Sequence, residues 1–237
     1  MKLGSGIEPF ELPLGRNVLW VGTINQDETT KSLSDKVLDR GIVINFPRPT
    51  TLQRRKELKG LTHAQPLLAR HIWDGWWCKK SNFTDAQINS YKTFIEDMNE
   101  SLAKVGRALG HRVWQSIEYY MANYPDVLDA QNQADGVDVI KLQKTMKMAF
   151  EDQLVQKVMP KLRGIETRGK SKTECLDKIR AQLVSGDYSI VDDFDLACKF
   201  GYGQFIWNSA NYLKDIIAQE DEQIMEHKDI IENTGRD

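Results

Sequence analysis

Asn17 to Phe46 reads NVLWVGTINQDETTKSLSDKVLDRGIVINF, and this stretch decides how the chain is read. Val18 to Ile24 is a short, nearly continuous apolar run rich in β-branched and aromatic residues, the pattern of a central strand covered on both faces. Its polar residues come at the end. In open α/β sheets ligands sit beyond the carboxyl ends of strands, so Thr23, Asn25, Asp27 and Glu28 are predicted to stand where a phosphate and its attacking water are handled. Ser32 or Ser34 caps a helix through Leu38, and Asp39-Arg40-Gly41 ends it with a glycine where a left-handed residue is wanted. Ile42 to Phe46 reads as a second buried strand, closed by Pro47-Arg48-Pro49 because proline donates nothing to a central ladder. On spacing alone, any αβ layer with a polar loop tip would look the same.

Composition sets bounds without naming a task. The chain has 237 residues with ordinary apolar and charged fractions, enough for one large or two small domains. A formal net charge of −2 gives no global attraction to nucleic acid or membrane, which leaves only local basic faces to consider. No apolar run approaches a membrane span, and Met1-Lys2-Leu3 leads into Gly and Pro rather than a signal-peptide core. Cys78, Cys175 and Cys198 are scattered, with no Cys-x-x-Cys pair. They read as reduced thiols of a cytoplasmic protein, without a zinc site.

Beyond Pro49 the pattern turns helical, with Thr50 or Thr51 capping a helix that carries Arg54, Arg55 and Lys56. The segment HIWDGWWCKK, Trp73 to Trp77 especially, reads either as packing between helices or as a stacking platform for bases beside Lys79 and Lys80. Phe83-Thr84 opens a long helix on which Ile88, Tyr91, Ile95, Met98 and Leu102 make one apolar stripe. In Gly110-His111-Arg112-Val113-Trp114 a glycine and then an arginine fall in a first helical turn, setting a cation against the positive end of the dipole. That placement favours a bound anion, so Arg112 is a candidate phosphate contact, with Arg107 as the fallback. His111 reads as a partly buried spacer.

Gly164-Ile-Glu-Thr-Arg-Gly169-Lys170-Ser171 satisfies the letters of the phosphate-loop pattern G-x-x-x-x-G-K-[ST]. The mechanism needs a buried strand before the loop and a helix after it. Leu176, Ile179 and Leu183 supply the helix, whereas AFEDQLVQKVMPKLR, interrupted by Pro160, reads as a helix ending. Only 66 residues follow Ser171, too few to complete a doubly wound sheet. Ser189 to Asp193 imitates a Walker B strand with too brief an apolar lead. Gly164, Gly169, Lys170 and Ser171 therefore stand as a weak alternative site.

Gly22-Thr23-Ile24-Asn25, Asp27-Glu28-Thr29-Thr30 and Ser34-Asp35-Lys36-Val37-Leu38-Asp39-Arg40 closely resemble the McrB-like branch of the AAA+ ATPases. There the pattern GT-x-N-x-DETT-x-x-x-S-x-KVLDR marks the sensor 1 strand, the next helix and an arginine finger. The resemblance implies that Asn25 orients the hydrolytic water or contacts the γ-phosphate, and that Arg40 reaches into a neighbouring subunit's nucleotide. It makes Arg112 the sensor 2 arginine of a helical lid. AFEDQLVQKVMPKLRG is similar to the lid helix of these proteins, with its QK-x-x-PK-x-x-G ending, and FGYGQFIW (Phe200 to Trp207) to their aromatic ending. The likeness runs from about Leu12 to Trp207 and is strongest at 17–46.

A Walker A loop and Walker B acids cannot fit in the sixteen residues before Asn17. The resemblance thus implies the C-terminal part of a larger motor, mainly α with a small β portion. Residues 1–49 hold the last strands of an AAA+ nucleotide-binding domain, 50–207 an α-helical lid and 208–237 an amphipathic tail helix through Leu213, Ile216, Ile217 and Ile224. ATP or GTP with Mg2+ would serve the complete parent, and no nucleotide is expected on this chain alone. The implied partners are an upstream Walker-containing segment, homo-oligomeric ring neighbours and an McrC-like nuclease, with DNA reached through the complex. Two further readings stay open: a helical DNA- or protein-interaction module around Trp73 to Lys80, and a self-sufficient NTPase using Lys170.

Overall fold

Pro160 shapes the middle of the molecule. Inside a helix, proline removes one hydrogen bond and crowds the carbonyl four residues back, here that of Gln156. In the computed structural model the helix over Val139–Gln153 accordingly widens into a π turn, Leu154–Val158, and then tightens into a 3-10 turn, Met159–Leu162. This rod is buried on nearly every side from Ala149 to Leu162, not along one stripe, and the helices His111–Asn123 and Pro125–Gln131 lie against its first part.

The structure describes residues 14–15, 18–25, 33–46, 68–75, 81–132, 137–209 and 211–212. Among these the order is α1 (Asp35–Arg40), α2 (Arg70–Gly75), α3 (Asp85–Ala103), α4 (His111–Asn123), α5 (Pro125–Gln131) and α6 (Val139–Gln153). After the π and 3-10 turns come α7 (Gly169–Ser171), a second π turn (Lys172–Leu176), α8 (Asp177–Ser185) and α9 (Val191–Lys199). The chain is mainly helical, as its sequence predicts. Among the described residues the β pairing is one antiparallel bridge, Glu166 with Gln204.

Residues 14–15, 18–25 and 68–75 form one compact unit, and 33–46 with the described residues from 81 onward form the other. In the first, α2 carries an exposed Arg70–Asp74 pair at 3.5 Å. Val18 to Ile24, expected as a buried central strand, joins no ladder here, and Trp20 and Val21 are 84% and 91% exposed. Ile42 to Phe46, in the second unit, is likewise unpaired, with Phe46 87% exposed. The β portion of the expected fold is absent from the described residues for a physical reason. Apolar β-branched residues supply the propensity for a strand, but burial on both faces requires neighbouring strands and covering helices.

The helical unit follows its sequence closely. Thr84 and Gln87 form the capping box that starts α3, and Ile88, Ile95, Met98 and Leu102 are buried along it with Tyr91 half-buried. Gly106, at φ 71, stops that helix: Arg107 N bonds back to Leu102 O at 2.9 Å and Gly106 N to Ala103 O at 3.0 Å, a Schellman ending. Asp138 caps α6 by accepting from Lys141 N at 3.0 Å. Phe150 lies at the centre, its ring 4.8 Å from Tyr91, 5.7 Å from Phe94 and 5.9 Å from Tyr188. Arg180 on α8 holds Asp195 on α9 through two bonds of 2.6 and 2.7 Å.

Candidate functional site

Arg40 ends α1 and is exposed, while its neighbour Asp39 is tied into the rod. Lys161 Nζ stands 2.5 Å from Asp39 Oδ1, and Lys157 Nζ donates to the Asp39 carbonyl at 3.4 Å. Both ammonium groups are buried, and burial lowers the Lys157 pKa, with Asp39 raising it and Lys161 lowering it further. Two cations thus meet the negative end of a short helix and the carboxylate beside it, the arrangement the dipole favours. Gly41 closes the helix through its N–H on Val37 O at 2.8 Å. It does so in extended backbone at φ −93 rather than in the left-handed form expected; a Cβ there would lie 3.2 Å from the same carbonyl. The helix also runs to Arg40 instead of ending at Leu38.

The charges predict an asymmetry. Asp39→Ala leaves Lys157 and Lys161 facing each other in the interior, and is expected to cost about 3 kcal/mol in urea unfolding. Lys161→Met leaves one carboxylate on a side chain that is 35% exposed, not two facing cations, and is expected to cost clearly less.

Arg112 is the second residue of α4, exposed, with Gly110 at the cap and no acidic residue in the first turn. α1 lies against α4 and the 3-10 turn. The approach to α4 is fixed by Asn99, whose Oδ1 accepts from Leu109 N at 2.6 Å and whose Nδ2 donates to Leu109 O at 3.3 Å. Arg107 is half-buried in the preceding loop, and His111, expected to be partly buried, is exposed. Thr23 and Asn25 are exposed in the first unit. Asp27 and Glu28 lie outside the described residues, as do Arg54, Arg55, Lys56, Trp76, Trp77, Lys79, Lys80 and the apolar positions named for the tail. Trp73 on α2 is half-exposed.

The phosphate-loop lookalike is built differently from a phosphate cradle. A helix, not a strand, precedes it, and its backbone is engaged: Gly164 N donates to Phe205 O and Thr167 N to Gly203 O, each at 2.9 Å. Gly169 at φ 61 starts α7, and Lys170 is exposed. Ser189 to Asp193, the Walker B imitation, leads into α9 rather than forming a strand. Cys175 and Cys198 have thiols raised to about 11 by burial, so neither supplies a thiolate near neutrality.

Three buried carboxylates escape sequence reasoning. Glu151 accepts from Ser189 Oγ at 2.8 Å and from Ile190 N at 3.1 Å. Asp193 accepts from Asn211 N and Tyr212 N at 3.0 and 2.8 Å, capping the turn that begins the tail. Asp152 accepts from the hydroxyls of Tyr120, at 3.0 Å, and Tyr212. Burial holds the Asp152 carboxyl above its ordinary 3.8, while the hydroxyls of Tyr212 and Tyr120 pull it back down. A carboxyl raised in the folded state gives its stabilisation in full below the unfolded pKa and loses it as pH rises through the folded one. Asp152→Asn cannot titrate. Relative to wild type it is therefore expected to gain stability from pH 3.8 upward through the raised pKa, as read by urea unfolding across that range.

Lys157 and Lys161 were present in the QK-x-x-PK word, but their partner is 118 residues away from Lys157 and no local signal announces it. No curated protein and no solved structure matches the chain. A family model does match, over residues 71–223, which takes in Arg112, the rod, the buried carboxylates and the paired loops. On that match the chain belongs to the family described as Domain of unknown function (DUF8727).

Proposed function

We propose that the chain carries the sensor 1 residue, the arginine finger and the helical lid of an McrB-like AAA+ motor. On this reading Val18 to Ile24 and Ile42 to Phe46 enter the sheet of a complete nucleotide domain, whose phosphate loop and Walker acids lie outside residues 1–237. The observation that carries the proposal is the anchoring of Arg40: an exposed arginine at the end of a helix whose preceding residue is clamped by Lys161 and Lys157. Phosphoryl transfer is catalysed mainly by positioning and by neutralising charge on the transferred group, so a finger must be presented rigidly. Arg112, in a first turn without an acidic neighbour, suits a phosphate for the reason its placement is otherwise unfavourable.

The proposed substrate is ATP or GTP with Mg2+, hydrolysed in a ring of like subunits that drives an McrC-like nuclease on DNA. Asn25 orients the attacking water, with Thr23, Asp27 and Glu28 beside it in the sequence, and Arg40 completes the neighbouring site. Hydrolysis is to be measured for the chain alone and for the chain joined in cis to a Walker-bearing segment. Activity is expected only in the joined protein, lost with Asn25→Ala and unchanged with Lys170→Ala. Hydrolysis by the chain alone, abolished by Lys170→Ala, would overturn the proposal.

A further inference from the structure

The lookalike loop has a different use in this fold. Residues 164–168 run antiparallel to 202–206: Gly164 N donates to Phe205 O at 2.9 Å, Phe205 N to Ile165 O at 2.8 Å and Thr167 N to Gly203 O at 2.9 Å. Glu166 and Gln204 form the bridge between these bonds, so the register sets Arg168 across from Tyr202. Period-two alternation then sorts the side chains. Ile165 and Phe205 enter the core, and Glu166, Arg168, Tyr202 and Gln204 face solvent.

The turn at the end of this pairing is strained in an informative way. Gln204 N closes it on Gly201 O at 2.9 Å, with Tyr202 at φ 50 and Gly203 at φ 92. Two successive left-handed residues make a primed hairpin turn, for which Asn-Gly is the favoured pair. Tyrosine gains nothing from that backbone, and its side chain is fully exposed, so the core does not require it either. A bulky residue held left-handed without a packing reason is a mark of function. The turn cannot relax at Gly201, where a Cβ would lie 1.6 Å from the Gln204 carbonyl oxygen.

Residues 164–170 and 199–204 hold Arg168, Lys170 and Lys199 against the single carboxylate of Glu166, with Phe200 as a second aromatic. Arg168 is exposed at the end of the paired segment and Lys170 on α7 just after it, and Lys199 Nζ lies 5.3 Å from the centroid of the exposed Phe200 ring. Glu166 is the carboxylate on the same face. Lys172 and Arg180 are spent on Asp177 and Asp195 and do not count. Aromatic faces beside cations are what unpaired bases and their phosphates meet in sequence-tolerant single-strand binding, whereas a duplex hides its base faces. With a net charge of −2 over the whole chain, the attraction is local to this edge.

We propose that the edge formed by residues 164–170 and 199–204 binds single-stranded nucleic acid, a base stacking on Tyr202 and the backbone phosphates meeting Arg168, Lys170 and Lys199. The site is independent of the motor reading and of the Trp73 to Lys80 segment.

The test is anisotropy of a labelled oligothymidine titrated with the full chain between about 50 and 200 mM salt. Tyr202→Asn gives the turn its favoured pair, so it is expected to melt no lower than wild type while binding about tenfold more weakly, the loss of one stacked base. Arg168→Ala with Lys170→Ala is expected to reduce the slope of log affinity against log salt by about 1.4. Failure of the oligonucleotide to bind at the lower salt would overturn the proposal. So would unchanged binding by Tyr202→Asn, loss of binding only with Trp73→Ala, or equal and Tyr202-dependent binding of labelled polyglutamate.

Discussion

Replacing Trp207 by alanine is expected to destabilise the helical unit by about 3–5 kcal/mol, the range for removing a large buried aromatic side chain. The residue is 2% exposed, and its ring stacks on Phe205 with centroids 6.3 Å apart and planes 4° from parallel. Its indole N–H also donates to Val155 O at 3.1 Å, a carbonyl inside the π turn that Pro160 imposes on the rod. Alanine therefore opens a cavity and takes away that carbonyl's indole donor. Trp207→Phe separates the two losses, because it retains most of the packing and loses only the donor, and it is expected to cost about 1–3 kcal/mol. Urea unfolding followed by far-ultraviolet circular dichroism reads both variants. Equal cost for the two would show that the hydrogen bond, and not the ring, ties 200–207 to the rod.

If the motor proposal holds, Arg40→Ala in the chain joined to a Walker-bearing segment is expected to lower the rate of nucleotide hydrolysis by about 10³-fold or more, the effect of a missing arginine finger. Fold stability should hardly change, since Arg40 is exposed and the clamp is made by Asp39. Mixing supplies the sharper measurement. If the finger acts on a neighbour's nucleotide, Arg40→Ala subunits combined with subunits lacking Asn25 should regain part of the activity that each lacks alone, because some interfaces then hold both residues intact. Arg40→Lys is a further discriminator: a point charge does not reproduce the planar guanidinium, so only a small recovery is expected. A rate unchanged by Arg40→Ala would remove the arginine from the mechanism and leave the Asp39 contact as a purely structural one.

What could be read from the sequence was what depends on neighbours in sequence. The stripe Ile88, Ile95, Met98, Leu102 and the face Leu176, Ile179, Leu183 repeat at helical spacing, and both are buried as read. Pro160 announced a broken helix, although not that the break would be sheathed on nearly all sides. The strand patterns at Val18 to Ile24 and Ile42 to Phe46 were legible as propensity only, since a ladder is a property of at least two segments. The clamp on Asp39 and the carboxylate seats of Asp152 and Asp193 depend on docking between distant segments, which no local periodicity encodes. The conformation of Tyr202 was hidden for the opposite reason. Tyrosine is a poor residue for a primed turn, so sequence rules point away from the geometry that the Gly164 to Thr167 pairing enforces.

The docking of α1 has a consequence for the order in which the protein assembles. Six residues are far too few to hold a helix in water, where nucleation costs more than one turn returns. α1 therefore forms only once the rod carrying Lys157 and Lys161 is in place. Amide exchange in α1 should then report the clamp directly: its protection is set by local undocking, well below the global unfolding free energy, and disappears in Asp39→Ala while α3 and α6 stay protected. The presentation of Arg40 is in that sense a late and reversible event in the folding of the chain, maintained by one carboxylate and two buried lysines.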